Sequence, residues 1–187
     1  LGDGMIGQMM EPVEFPEAID IEELPEKEWA TDGAEGRERN IINSLYLDND
    51  ELEALNWKLK EKYDQMQKED VKYETYNIED ADIVLIAYGT TARIALSALD
   101  EARKNNIKVG MIRPISLFPF PKQIISETSK KTNKILTLEL SIGQMVEDVR
   151  LAVNGRKEVY FQGWPGGNIP TPDDIYQEIV KIAEMEG

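Results

Sequence analysis

The chain is 187 residues long and carries 36 acidic against 21 basic side chains, a formal charge of −15, with neither Cys nor His. That balance repels phosphate backbones and anionic membrane surfaces, so neither nucleic acid nor a membrane is expected as a partner. Without thiols or imidazoles there can be no disulfide, no thiol nucleophile, no His-dependent triad and no thiolate or imidazole metal site, and no metal is expected here. The length suits one domain with a sizeable core plus appended segments. No apolar run reaches the roughly 18 residues that span a bilayer, and no leader precedes a cleavage site, so a cytoplasmic protein is expected.

The first ten residues, "LGDGMIGQMM", contain a literal G-x-G-x-x-G from Gly2 to Gly7. A dinucleotide fingerprint needs a strand before it and a helix after it. Nothing precedes this one, and Pro12 and Pro16 break the segment after it, so it predicts no nucleotide site. A start without Met in a Gly- and Met-rich stretch is expected of a piece of a longer chain. From Glu11 to Gly36 the sequence is acidic and broken by Pro12, Pro16 and Pro25, which predicts an extended arm. From Asp50 to Glu69, the positions Leu52, Leu55, Leu59, Tyr63 and Met66 form the stripe of an amphipathic helix, expected to lie on something.

An α/β domain is expected from about Glu79. "IVLIA" reads as a strand buried on both faces, and "GTTARIALSALDEARKNN" as the helix after it. "IKVGMIRPI" gives a second strand and "FPFPKQIISETSKKT" a short helix entered through prolines. "KILTLEL" is a third strand, followed by a helix over "SIGQMVEDVRLAVNG" that stops at Asn154-Gly155. "EVYFQG" is a fourth strand, and the last helix starts with Thr171 as N-cap and Pro172 at its first position. Strands alternating with helices predict a three-layer α/β/α domain with a mostly parallel sheet, whose functional edge lies at the carboxyl ends of the strands.

Three stretches fall at those strand ends. In "YGTTAR", Gly89, Thr90 and Thr91 are candidates for an anion site at a helix start; the alternative is that Thr90 or Thr91 caps the helix. In "LELSIGQM", Glu139 ends an apolar strand, Ser141 can cap, Gly143 permits a close backbone approach and Gln144 offers an amide. Glu139 is either a general base or a buried acceptor held by backbone donors. With no His, Cys or second carboxylate at a useful spacing, a structural or interface role is preferred, and no catalytic residue is expected in the chain. "GWPGGNIPTP" sets Trp164 among Gly163, Gly166, Gly167 and prolines, which is either a stiff turn or a contact anchor.

The order of "DIVLIAYGTTARIALSAL", "KVGMIRPISLFPFP", "LELSIGQMVEDVRLAV" and "GWPGGNIPTPDDI" resembles the carboxyl-terminal domain of the alpha subunit of 2-oxoacid:ferredoxin oxidoreductases, of the 2-ketoisovalerate and 2-oxoglutarate types. The resemblance covers residues 79–187 strongly and the arm weakly. It implies residues 1–15 as the remnant of a pyrimidine-binding domain, 16–78 as linker arm and helix, and 79–187 as a transketolase carboxyl-terminal-like domain. The parent enzyme that it implies decarboxylates a 2-oxoacid on thiamine diphosphate and Mg, passes electrons through iron–sulfur clusters to ferredoxin, and forms an acyl-coenzyme A. Its implied partners are a beta subunit, a ferredoxin-like subunit and ferredoxin. None of the cofactors is expected within this piece, whose implied role is subunit contact through Glu139, Ser141, Gly143, Gln144, Trp164, Gly166 and Gly167. Ser141 stands where members of that family usually carry Asn. Two other classes remain open from the residues: a flavodoxin-like acidic electron carrier, and a free-standing module binding a small anion at the "GTT" loop.

Overall fold

The computed structural model describes Gly4, Gln8, Met10 and residues 12–185. Gly2 and Gly7 of the opening glycine motif lie outside the described residues, as does most of the stretch read as a pyrimidine-domain remnant. The chain divides into two compact units, Met10–Asp64 and a second that runs on from Gln65. In the first, an extended stretch with one 3-10 turn at Ile21–Glu23 leads into a loop closed on itself: Asn40 Nδ2 donates to the Ala30 carbonyl at 2.9 Å, and Arg37 Nη2 reaches Asp32 at 2.8 Å. Helix α1, Asn49–Glu69, follows. Its apolar stripe is expected to lie on something, yet no residue of α1 is buried.

The second unit is the α/β body. Its elements are β1 (Tyr73–Tyr76), β2 (Ile83–Ala87), α2 (Gly89–Lys104), β3 (Val109–Pro114), α3 (Lys122–Thr128), β4 (Lys134–Glu139), α4 (Met145–Val153), β5 (Val159–Gly163) and α5 (Pro172–Glu184). The sheet order is β1-β3-β2-β4-β5, parallel throughout except that β1 pairs antiparallel with β3. Because β2 is covered on both sides, its side chains divide by alternation. Ile83, Leu85 and Ala87 join Ala95, Leu99 and Ala102 of α2 and Ile175 and Ile179 of α5 on one face. Val84 and Ile86 join Ile125 of α3 and Met145 and Val149 of α4 on the other. This is the expected three-layer arrangement.

Helix ends follow local chemistry. Thr171 caps α5 in a reciprocal box, its hydroxyl accepting from Asp174 N at 3.2 Å while Asp174 Oδ2 accepts from Thr171 N at 2.7 Å. At the end of α4, Asn154 adopts a left-handed conformation with φ of 52° and Gly155 follows at 71°.

Strand β1 lies in the stretch read as linker, and nothing in its four residues announces it. "YETY" alternates exposed and half-buried positions without an apolar run, as an edge strand does. Polar chemistry attaches it: Tyr76 Oη donates to Glu74 at 2.6 Å, and Arg113 Nη1 of β3 donates to the same oxygen at 3.0 Å. The tyrosine hydroxyl first, and the guanidinium after it, hold the Glu74 carboxyl below its ordinary pKa. The stabilisation is therefore present above the ordinary carboxylate range and lost as pH falls through the lowered value; at this solvent-open site it is small.

The turn from β1 to β2 crosses β3 at Gly110. A Cβ there would stand 2.7 Å from the Asn77 carbonyl oxygen and 2.9 Å from the Ile78 Cα, both backbone. Gly110→Ala is expected to cost on the order of 1–3 kcal/mol, seen as a lower denaturant midpoint at unchanged slope. Among described residues 12–64 none is buried, so limited proteolysis is expected to cut first between residues 17 and 49; early cleavage within β2 would contradict the division into units.

Candidate functional site

Helix α2 carries the chain from β2 outward to β3, and α3 brings it back across β2 to β4. The connections leaving β2 and β4 thus diverge in opposite directions from neighbouring strands, with Ala87 level with Leu138. Such a divergence opens a crevice at the carboxyl edge of the sheet. The candidates after β2, β4 and β5 are all brought to this one edge.

Glu139 is its organising residue. The side chain is fully buried at the end of β4. Its Oε2 accepts from Met145 N at 2.9 Å, Gln144 N at 3.1 Å and Ser141 Oγ at 3.0 Å, and its Oε1 accepts from Val146 N at 2.9 Å. Those amides are the otherwise unpaired donors that open α4, and a carboxylate among them also meets the positive end of the helix dipole. Gln144 occupies the N-cap position without a capping bond from its own side chain; the cap comes instead from Glu139, five residues earlier. Ser141 acts within the loop, donating to Glu139 while accepting from Gly143 N at 3.2 Å. Of the two roles open to Glu139 in the sequence, the geometry found is that of the buried acceptor held by backbone donors.

The close backbone approach expected at Gly143 occurs at Gly163 instead. A Cβ on Gly163 would lie 2.2 Å from the Ser141 carbonyl oxygen. Gly143 is held by a φ of 107°, and the space beside it belongs to Val146 and Phe161 of the same chain. The β4 and β5 ends are tied further by Trp164 N donating to the Glu139 carbonyl at 2.9 Å. The Trp164 ring is half-buried and packs in part on the core cluster that includes residues of α2 and α5. Gly166 and Gly167 stand exposed in left-handed conformations.

After β2, the N-cap of α2 is Tyr88, in extended conformation and with no side-chain capping bond. Thr90 and Thr91 sit inside the first turn and are buried, so neither is the cap. Those hydroxyls, being buried, are not presented to an anion at Gly89. That weakens both the FMN-carrier and the anion-module alternatives.

What sequence alone does not collect is a property of the four connections that leave the parallel strands; antiparallel β1 enters at the same edge, where the Lys72 backbone bonds to Ile115 and Ser116. The connections spanning residues 88–92, 114–121, 140–146 and 163–172 contain no Asp, Glu, Lys or Arg, in a chain that is 30% charged. The opposite edge is entered through Asp80 and Asp82, Lys108, Lys131 and Lys134, and Arg156, Lys157 and Glu158. Onto the uncharged rim project Ile142, 83% exposed, with Phe118 at 59%, Ile115 at 50% and Ile169 at 40%. Each neutral loop is visible in the sequence, but it takes the parallel topology to collect them on one side. Depletion of charge with exposed apolar side chains is the mark of a protein–protein contact centre.

For cofactors, the donors decide. With no Cys or His in the chain, an iron–sulfur cluster has no ligands here. Among the described residues, no group of three or more His, Cys, Asp or Glu could hold a metal ion. No described helix is long and apolar enough to cross a membrane.

The fold is a three-layer α/β domain with a mostly parallel five-stranded sheet. The model of the pyruvate:ferredoxin oxidoreductase core domain II matches residues 81–175, and the chain belongs to that family. The ketoisovalerate oxidoreductase subunit VorB of Methanothermobacter marburgensis is 44% identical over 98% of this chain and 51% of its own length. The 2-oxoglutarate synthase subunit KorA of the same organism is 34% identical over 54% of this chain and 27% of its own length. A 2-oxoglutarate:ferredoxin oxidoreductase from Magnetococcus marinus, solved with 2-oxoglutarate, coenzyme A and succinyl-CoA bound, shares the fold at a TM-score of 0.60 and 17% identity, over 73% of this chain and 24% of that one. The chain spans about half the length of the VorB relative.

Glu139→Gln is expected to turn an amide NH2 toward donors that need an acceptor, at a cost of about 1–3 kcal/mol. Thermal or denaturant unfolding of the chain measures it; an unchanged midpoint would remove the capping role.

Proposed function

We propose that the chain is the carboxyl-terminal part of a subunit, the alpha subunit in the terms of the resemblance, of a thiamine-diphosphate-dependent 2-ketoisovalerate:ferredoxin oxidoreductase that forms an acyl-coenzyme A. The similarity to a ketoisovalerate oxidoreductase subunit along 98% of the chain supports the assignment. In the parent enzyme, thiamine diphosphate supplies the carbanion chemistry and iron–sulfur clusters take up the electrons. This chain offers ligands for no cluster, and its work is to hold neighbouring domains in register. Positioning of that kind bears directly on rate, because a displacement of about 1 Å at a cofactor can cost on the order of a hundredfold.

The observation that carries the contact role is the uncharged rim. Glu139 braces the 140–144 loop from inside and reaches a partner only through it, while Ser141 and Gln144 belong to the exit after β4 that carries Ile142, and Gly166 and Gly167 to the exit after β5. The other subunits of such an enzyme, and ferredoxin as acceptor, are the proposed partners in the cytoplasm.

Ile142→Glu places a charge at the centre of the rim without touching the core. In the reassembled oxidoreductase, the affinity of this chain for its partners is expected to fall at least about tenfold. The unfolding midpoint of the chain alone should stay within about 0.5 kcal/mol of the parent. Native mass spectrometry and ketoisovalerate-dependent ferredoxin reduction read the two effects; full assembly with normal turnover would remove the rim from the interface.

A further inference from the structure

The arm has a period that the α/β body does not use. From residue 12 to residue 26 every position is exposed, and the hydrogen bonds within the stretch are local to Asp20 and Ile21. Acidic residues recur at Glu14, Glu17, Asp20, Glu23 and Glu26, each three from the last. A second row, Pro12, Phe15, Ala18, Ile21 and Leu24, keeps the same interval. Three residues per turn is the period of a polyproline II strand and also of a 3-10 turn. The backbone adopts both: Asp20 has φ −61° and ψ 140°, Leu24 has −72° and 137°, and Ile21–Glu23 between them form the 3-10 turn. Where the backbone is extended, the interval aligns an acidic row and the row from Pro12 to Leu24, with successive members about 9 Å apart, while Val13, Ile19 and Glu22 fall on the third face. Phe15 is 91% exposed, Ile21 80% and Leu24 49%.

We propose that residues 12–26 are a docking strand that lies in a groove of another subunit of the oxidoreductase, with Phe15, Ile21 and Leu24 in apolar pockets and the acidic row against Lys and Arg side chains along the groove's border. The inference rests on the assembly reading above and adds the second contact and the chemistry of its partner. Charge selects the occupant. An acidic row five residues long attracts a basic surface, whereas a second copy of this chain, also at −15, repels it. A pre-extended strand with prolines at residues 12, 16 and 25 also loses less entropy on docking than a flexible one. The arm contact is thereby ionic along one row, unlike the uncharged rim, and salt separates the two.

The test uses the full chain co-assembled with the remaining subunits of the oxidoreductase, with dissociation followed at about 0.05 and 0.5 M NaCl, where screening differs strongly. One variant combines Glu14→Gln, Glu17→Gln and Glu23→Gln, sparing Asp20 because it caps the 3-10 turn. The other combines Phe15→Ser, Ile21→Ser and Leu24→Ser. No side chain in the stretch is buried, so neither set threatens the fold. The parent complex is expected to weaken roughly tenfold or more at the higher salt. The Gln set should show that loss already at low salt and respond little to further salt, and the Ser set should weaken binding at both. Parent-like dissociation of both sets overturns the docking strand while leaving the assembly reading standing. A parent chain that forms no complex overturns both. Self-association of the chain alone, abolished by the Ser set, would make the occupant a second copy and overturn the basic-groove assignment.

Discussion

The carboxylate of Glu139 holds the carboxyl edge of this domain together. It terminates the central strand β4 and supplies the acceptors for three amides that open α4. Through Ser141 it also shapes the loop between them. Its own carbonyl takes the Trp164 amide, so the β5 exit is registered on the same residue. A polar group buried at this depth is tolerated because its four hydrogen-bond partners all donate to it and the helix end is positive. The sharp bends at Gly143 and the contact of Gly163 with Ser141 follow from drawing the loop this tightly.

Once that loop is fixed, the distribution of charge acquires a direction. For the four parallel strands, acidic and basic side chains gather where the chain enters and are missing from the connections that leave; antiparallel β1 is the exception, entering at the leaving edge behind Asp70 and Lys72. Charge on the entering edge keeps the chain hydrated. Its absence on the leaving edge lowers the desolvation cost of covering Ile142, Ile115 and Ile169, which is a cost that any partner must meet. The two edges of the sheet thus differ in charge, and the contact proposed for this chain uses the less charged one.

The arm follows different physics. It has no core, and its order is that of a strand whose backbone is restrained by prolines and by the Asp20 cap. The α/β body is stabilised by burial on both faces of a sheet, whereas the arm displays apolar side chains that only another surface can bury. The two proposed contacts, one neutral and one acidic, suit a chain whose relatives are named as enzyme subunits.

Much of this was legible in the residues. The continuous apolar strands, the helical stripes of α2, α4 and α5, the Thr171 cap and the Asn154-Gly155 stop all arise from interactions within a few positions, and local chemistry determines them. Glu139, Ser141 and Gln144 could be singled out in the same way, as polar residues at the end of an apolar run. Tertiary structure decided the rest. Strand β1 forms because β3 offers it an edge and Arg113, which four residues of "YETY" cannot announce. Thr90 and Thr91 lost their capping role because the helix began two or three residues earlier than either cap requires, at Gly89, under Tyr88. Whether Glu139 faced a substrate or a helix end depended on where α4 returned, and the uncharged rim exists only because parallel crossovers bring four separate exits to one side of the sheet. Partners near in sequence can be read from spacing, whereas those brought together by crossovers require the fold.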